Sequence, residues 1–232
     1  MAQVADDSVN PDISLLRGIN GLARQAPRGV DRAVQFIGDY GLLAVLAVLT
    51  FWCWWRVARR AAEAPAAVAG VAWAVLAAGL SLLLGLPIRA LVARPRPYEE
   101  HDGLDVLVRT AHDYSFVSGR AAFAGAVAVG LFMVSRRAGL IAGVLALAEG
   151  FTQVYTGAHY PTDVVGGFAL GAATALLLAP IALALLTAAA TATARSRWKL
   201  LVRAPGAATR PAPRPGQAAT PRHSAADKDL AA

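Results

Sequence analysis

APAAVAGVAWAVLAAGLSLLLGLPI, residues 64–88, runs without a single charged side chain. Crossing the hydrocarbon core of a bilayer takes about 20 mostly apolar residues in helical form, because lipid offers backbone N–H and C=O groups no partners. This stretch has that length, and it decides how the chain around it is read: an all-α protein, an integral membrane helical bundle. Similar runs lie at 40–55, 121–135, 138–158 and 164–194, the fourth in chain order broken only by Glu149. The runs at 40–55 and 121–135 are short and must borrow flanking residues. About five transmembrane helices are expected.

Composition agrees. Of the 232 residues, 56% are hydrophobic and 16% charged, and the mean hydropathy is +0.49, which excludes an ordinary soluble domain of this size. The opening Met1-Ala-Gln-Val-Ala-Asp-Asp is acidic and has no apolar core segment, unlike a cleaved secretory signal. Leu15, Leu16, Ile19 and Leu22, then Val30, Val34 and Ile37, recur at helical spacing, so 1–39 is expected to form an N-terminal amphipathic segment. Residues 40–194 then form the transmembrane domain. The remainder, 195–232, is basic and rich in Pro and Ala without periodicity, and is expected to be a disordered cytoplasmic tail.

Charge sets the expected orientation. Arg56, Arg59 and Arg60, then Arg136 and Arg137, then Arg195, Arg197, Lys199 and Arg203 follow alternate spans and fall on one face. By the positive-inside rule that face is cytoplasmic, and the loop from 89 to 120, where acids balance the arginines, is extracytoplasmic. Trp52, Trp54, Trp55 and Trp198 sit beside the basic clusters as interfacial aromatics do. The net charge of +7 implies attraction to anionic lipid headgroups rather than to nucleic acid, since no aromatics interleave the basic tail. Cys53 is the only cysteine, which rules out an intrachain disulfide and a cysteine metal cluster.

Three short stretches carry the chemistry: Arg89-x6-Arg96-Pro97, Ser115-Phe-Val-Ser-Gly-Arg120, and Thr152-Gln-Val-Tyr-Thr-Gly-Ala-His-Tyr-Pro-Thr-Asp163. All three lie at the outer ends of spans. Arg89 and Arg96 offer planar forks that match phosphate oxygens, or else snorkel to the interface. Ser118-Gly119 opens an apolar helical run, where backbone N–H groups bind phosphate; a plain N-cap is the alternative. His159 is a candidate nucleophile with Asp163 orienting its ring, although Asp163 also suits a helix start. Glu149 lies four residues before Gln153 on the same helical face, as an ion-pair partner of Arg120 or Arg89 or as a proton donor.

In order and spacing these stretches resemble the type-2 phosphatidic acid phosphatase superfamily over residues 82–171, with Arg-Pro-Arg-Pro-Tyr and Asp-Tyr-Ser-Phe similar to its undecaprenyl-diphosphate phosphatase branch. The resemblance implies a phosphohistidine at His159 oriented by Asp163, phosphate binding by Arg89, Arg96, Ser118, Gly119 and Gln153, and no metal or other cofactor. Four positions depart from that pattern. Arg89 stands where lysine is usual, Val117 where proline is, Arg120 where the general-acid histidine is, and Gln153 where an arginine is.

Arg120 cannot deliver a proton at neutral pH, because its pKa is at least about 12. Its expected role is electrostatic stabilisation of the transferring phosphoryl or of the leaving group. An alkoxide leaving group needs a proton, whereas a phosphomonoester, with a second pKa near ~6, departs as an anion. Two readings follow. One is a multi-pass plasma-membrane phosphatase acting on a lipid phosphate, with diphosphates such as undecaprenyl diphosphate preferred. The other is an impaired homologue that binds lipid phosphates as a sensor, carrier or partner of envelope enzymes.

Overall fold

The computed structural model describes residues 10–60, 64–107, 114–195 and 202. Nearly all of the expected tail lies outside the described residues. Within them the chain is all-α, without a strand.

Helix α1 (Pro11–Gln25) starts where the Asn10 side chain accepts from the N–H of Asp12, with Pro11 at the first helical position. Its inner face is Ile13, Leu16, Asn20 and Ala23, while Leu15 and Leu22 are exposed. This is the amphipathic helix expected from the spacing. The second amphipathic stretch is not separate. Helix α2 (Arg28–Phe36) passes through a π-helical turn (Ile37–Gly41) straight into α3 (Leu42–Arg60), so the boundary expected at residue 39 falls inside one continuous helix. The turn is bound closely to the bundle, since a Cβ on Gly38 would stand 2.7 Å from Thr152 Oγ1.

Helix α4 (Ala64–Val92) carries the run that opened the reading and ends in a single-turn helix, α5 (Pro97–Glu100). Helices α6 (Gly119–Val134) and α7 (Arg136–Tyr155) are joined at Ser135, whose hydroxyl accepts from Ala138 N as the N-cap of α7. The last run is two helices, α8 (Pro161–Leu177) and α9 (Ala179–Ala194), bent by 56°. Pro180 explains the bend: it lacks an N–H, and its ring collides with the carbonyl four residues back. All five apolar runs are therefore helical. Arg28–Val57, Ala64–Glu100 and Arg136–Tyr155 are long and apolar enough to cross a membrane, and the bent pair qualifies together. Helix α6 is a shorter apolar helix of 16 residues.

Helix α6 is the centre of the bundle, packed on α4, α7 and α8. Its inward residues are mostly alanine and glycine, with Ala121, Ala122, Ala124 and Ala126 fully buried beside Val127 and Leu131. Close approach takes the place of bulk here. A Cβ on Gly167 would lie 2.6 Å from the Ser118 carbonyl, and one on Gly171 only 2.1 Å from the Ala122 carbonyl. In lipid no hydrophobic force drives helices together, so small residues that let backbones touch supply the dispersion contacts. Trp73 of α4 adds a hydrogen bond to the carbonyl of Ala175 in α8, 3.0 Å. The outward faces are greasy: Val45, Val48, Phe51, Leu83, Leu147, Val165 and Ile181 are all exposed, as lipid contact requires.

Candidate active site

Backbone hydrogen bonds stitch the three motifs together. Ser115 N donates to the carbonyl of Arg94 at 2.9 Å, tying the second motif to the first. Ser118 N donates to the carbonyl of Asp163 at 3.1 Å, tying the second to the third, a contact made possible by the glycines of α8. Arg96 ties the first to the third: it is buried, and its Nη1 donates to the carbonyl of Ala158 at 3.0 Å. The peptide between Phe116 and Val117 is cis.

His159 sits where these strands of chain meet. It leaves α7 through Gly157, whose φ of +71° suits glycine and whose Cβ position lies 3.2 Å from the Asp105 carbonyl. The ring Nδ1 lies 2.9 Å from the Ser115 carbonyl and 3.7 Å from Asp163 Oδ2. A carbonyl can only accept, so Nδ1 carries the hydrogen and Nε2 keeps its lone pair. Arg96 Nη1 stands 3.4 Å from that Nε2. Burial holds the imidazole below its usual range; the Asp163 carboxylate opposes this and the Arg96 charge adds to it. The ring is therefore neutral near pH 7, with its free nitrogen beside a guanidinium.

Asp163 is fully buried and committed elsewhere as well. Its Oδ2 accepts from the N–H of Tyr160 at 2.9 Å, and its Oδ1 accepts from Arg94 Nη1 at 2.9 Å. Ser118 caps α6, with its hydroxyl accepting from Ala121 N, and donates to Gln153 Oε1. Gln153 Nε2 in turn donates to the Glu149 carbonyl at 3.3 Å. The Arg89 guanidinium lies over Gly119, whose Cβ position would be 3.5 Å from Arg89 Nη2.

Arg120 is the member that turns aside. Its Nη1 donates to Asp39 Oδ1 of the π turn at 2.8 Å, and Glu149 Oε1 is 3.9 Å away. Glu149 has no exposed surface and neither of its carboxyl oxygens has a hydrogen bond. The expected Glu149–Arg120 pairing is thus loose, and Asp39 holds the arginine instead. His101 is half-buried with its ring edge-on to Tyr160 at 6.1 Å.

Sequence reasoning passed over several residues that organise this site. Arg94, quoted above only as part of Arg-Pro-Arg-Pro, reaches Asp163, Thr162 and Asp12 and stacks over Tyr160 at 3.7 Å. Asn20 is buried; its amide donates to the carbonyls of Asp105 and Tyr155 and accepts from Asp105 N, which fixes the loop after α5 against α7. No group of three or more His, Cys, Asp or Glu that could hold a metal is found among the described residues.

A family model described as the PAP2 superfamily matches residues 70–186, half of the chain and all three motifs. The chain belongs to the PAP2 superfamily. Its relatives include undecaprenyl-diphosphatase BcrC of Bacillus subtilis, 33% identical over 40% of this chain and 49% of that protein. Another is a decaprenylphosphoryl-5-phosphoribose phosphatase of Mycobacterium tuberculosis, 35% identical over 43% and 55%. The chain spans about half the length of the curated relatives it matches. Among solved structures, a transmembrane PAP2-type phosphatidylglycerolphosphate phosphatase from Bacillus subtilis covers 78% of this chain and 90% of its own, with a TM-score of 0.54 at 22% identity. That likeness is one of fold. Helix α1 and the π turn, and with them Asp12, Asn20 and Asp39, precede the matched PAP2 region.

Proposed function

We propose that this membrane protein of the PAP2 lipid phosphatase family hydrolyses a lipid diphosphate, such as a prenyl diphosphate, through a phosphohistidine at His159. One observation carries the reading: the His159 tautomer is fixed by the Ser115 carbonyl, which leaves Nε2 unprotonated with its lone pair 3.4 Å from Arg96 Nη1. Nε2 attacks the terminal phosphorus, the Nε2–P bond forms, and the bridging P–O bond breaks with its electrons on the departing phosphomonoester. Water then attacks the phosphohistidine, releasing inorganic phosphate and restoring the imidazole. Arg89, Arg96 and the N–H groups at the start of α6 bind the phosphoryl oxygens, while Gln153 orients Ser118 through their hydrogen bond.

Arg120 supports the choice of a diphosphate. It stabilises charge but cannot protonate an alkoxide, so the leaving group must be a weakly basic anion that departs without a proton, as a phosphomonoester does. The name of the undecaprenyl-diphosphatase relative agrees with this class of substrate, whereas the decaprenylphosphoryl-5-phosphoribose phosphatase is named for a sugar phosphomonoester. By the distribution of basic clusters the site faces the extracytoplasmic side of the plasma membrane, with the tail inside. The second reading, a lipid-phosphate binder without turnover, is favoured by the pair that Arg120 makes with Asp39.

Phosphate release by detergent-purified protein separates the two. Release from undecaprenyl diphosphate that exceeds release from phosphatidic acid, and that disappears in His159→Ala, is the expected result. Equal or faster release from phosphatidic acid removes the leaving-group argument. No release by folded protein favours the binder.

A further inference from the structure

Helix α1 lies outside the matched family region, yet its first turn enters the active site. Asp12 Oδ1 accepts from Thr162 N at 3.0 Å, and Oδ2 accepts from Thr162 Oγ1 at 2.6 Å and from Arg94 Nη2 at 2.8 Å. Asp12 thereby caps the start of α8 from another helix and grips the outer end of Arg94. The other nitrogen of the same guanidinium, Nη1, holds Asp163 Oδ1 at 2.9 Å and Thr162 Oγ1 at 2.8 Å. The result is a ladder, Asp12, Arg94 and Asp163 alternating in charge and then the neutral imidazole of His159.

Each rung bears on the next. Without a partner at its outer end, Arg94 would act on Asp163 with its full charge and compete with the imidazole for the carboxylate. With Asp12 bound, part of that charge is answered on the far side. Asp163 stays anchored by Arg94 and the Tyr160 N–H while its Oδ2 remains 3.7 Å from His159 Nδ1. Asp12 and Arg94 are both largely buried in this pair, with side-chain exposures of 10% and 27%, so screening by water is reduced.

We propose that Asp12 is a positioning residue for the phosphatase chemistry, acting through Arg94 to set the geometry and charge of the Asp163–His159 pair. This rests on the reading of His159 as nucleophile. The N-terminal helix is then a working part of the active site rather than a membrane-surface accessory.

The test uses the full chain in detergent and a readout that does not need turnover. Diethyl pyrocarbonate modifies neutral imidazole, and its rate at His159, followed peptide by peptide in a mass spectrometer, gives the protonation midpoint whatever the protein hydrolyses. The groups facing His159 are Arg96 from the segment after α4, Asp163 from α8 and the Ser115 carbonyl before α6. Asp12→Asn leaves Arg94 less compensated and moves the midpoint down. Arg94→Gln moves it up. In the Arg94→Gln background Asp12→Asn adds nothing further, while with Arg94 present Asp12→Glu keeps the wild-type value.

With prenyl diphosphate as substrate, Asp12→Asn lowers kcat about tenfold and leaves KM within about twofold. Asn20→Ala loosens the same helix without touching Arg94, and is expected to lower the melting temperature while the midpoint stays. An unmoved midpoint in Asp12→Asn, or an equal shift in Asn20→Ala, overturns the proposal. Should Asp12→Asn fail to fold, an unmoved midpoint in Arg94→Gln overturns it as well. A wild type that hydrolyses nothing defeats the phosphatase reading but leaves the midpoints to decide the ladder.

Discussion

Substituting Gly171 by Ala tests whether backbone contact between α6 and α8 builds the site. The added Cβ would stand 2.1 Å from the Ala122 carbonyl oxygen and 2.8 Å from Ala126 N, both backbone atoms that cannot rotate away. Restoring an ordinary carbon–oxygen contact near ~3.3 Å requires the helices to part by about 1 Å. Overpacking of this kind costs about 1–3 kcal/mol, and a chain of this length loses about 2–4 °C in melting temperature per kcal/mol. The same displacement separates Ser118 from Asp163, and a misplacement of about 1 Å can reduce turnover about 100-fold. Thermal unfolding in detergent, followed by intrinsic fluorescence beside a phosphate-release assay, reads both effects. Gly143→Ala is the control: nothing lies within 4 Å of its Cβ position, and alanine in the interior of a helix gains about 0.5–1 kcal/mol over glycine. A Gly171→Ala protein with wild-type melting and activity would refute the argument that these glycines set the distance between motifs.

Other expectations concern the charges. Asp39→Asn releases Arg120 from its 2.8 Å pair and should tighten competitive inhibition by inorganic phosphate or vanadate about two- to fivefold, the range open to a partly exposed ion pair; unchanged inhibition means that Arg120 does not reach the phosphate. Glu149→Leu should be neutral or stabilising by about 1 kcal/mol, since the carboxyl it removes is buried without a hydrogen bond and Arg120 keeps Asp39; a clear loss of melting temperature would show Glu149 to be a structural ion-pair partner. For pH, the proposed mechanism needs a neutral His159, and burial holds its folded pKa below 6.5, so activity is expected to be retained at pH 6.5 and lost only as pH falls through that lower value. An acid limb centred above 6.5 in a pH–rate profile contradicts the buried setting of His159.

Much of this architecture is legible in the chain because membrane helices announce themselves locally. A charge-free run such as 64–88 has few alternatives in lipid, and the three motifs fall at span ends where a bundle gathers them. Boundaries were less legible. The join between α2 and α3 carries Asp39 and Gly38, residues that read as an interruption, yet a π turn absorbs them without ending the helix. The break at Leu178 had a visible cause in Pro180, but an unbroken apolar run outweighed it. Within the site, His159, Asp163, Arg96 and Ser118 were legible as residue types at a spacing. The Ser115 carbonyl was not, because any residue supplies one. Nor were the partners of Arg94 and Arg120: Asp12 and Asp39 each lie more than eighty residues away in sequence, and no local pattern reports such a contact.

The shortness of α6 has its own consequence. Sixteen residues at a rise of 1.5 Å make a helix of about 24 Å, against a hydrocarbon layer of about 30 Å. A helix of about 24 Å cannot reach both surfaces of that layer, so at least one of its ends, Gly119 or Val134, lies at hydrocarbon depth, where backbone groups left open by the helix must find partners in the protein.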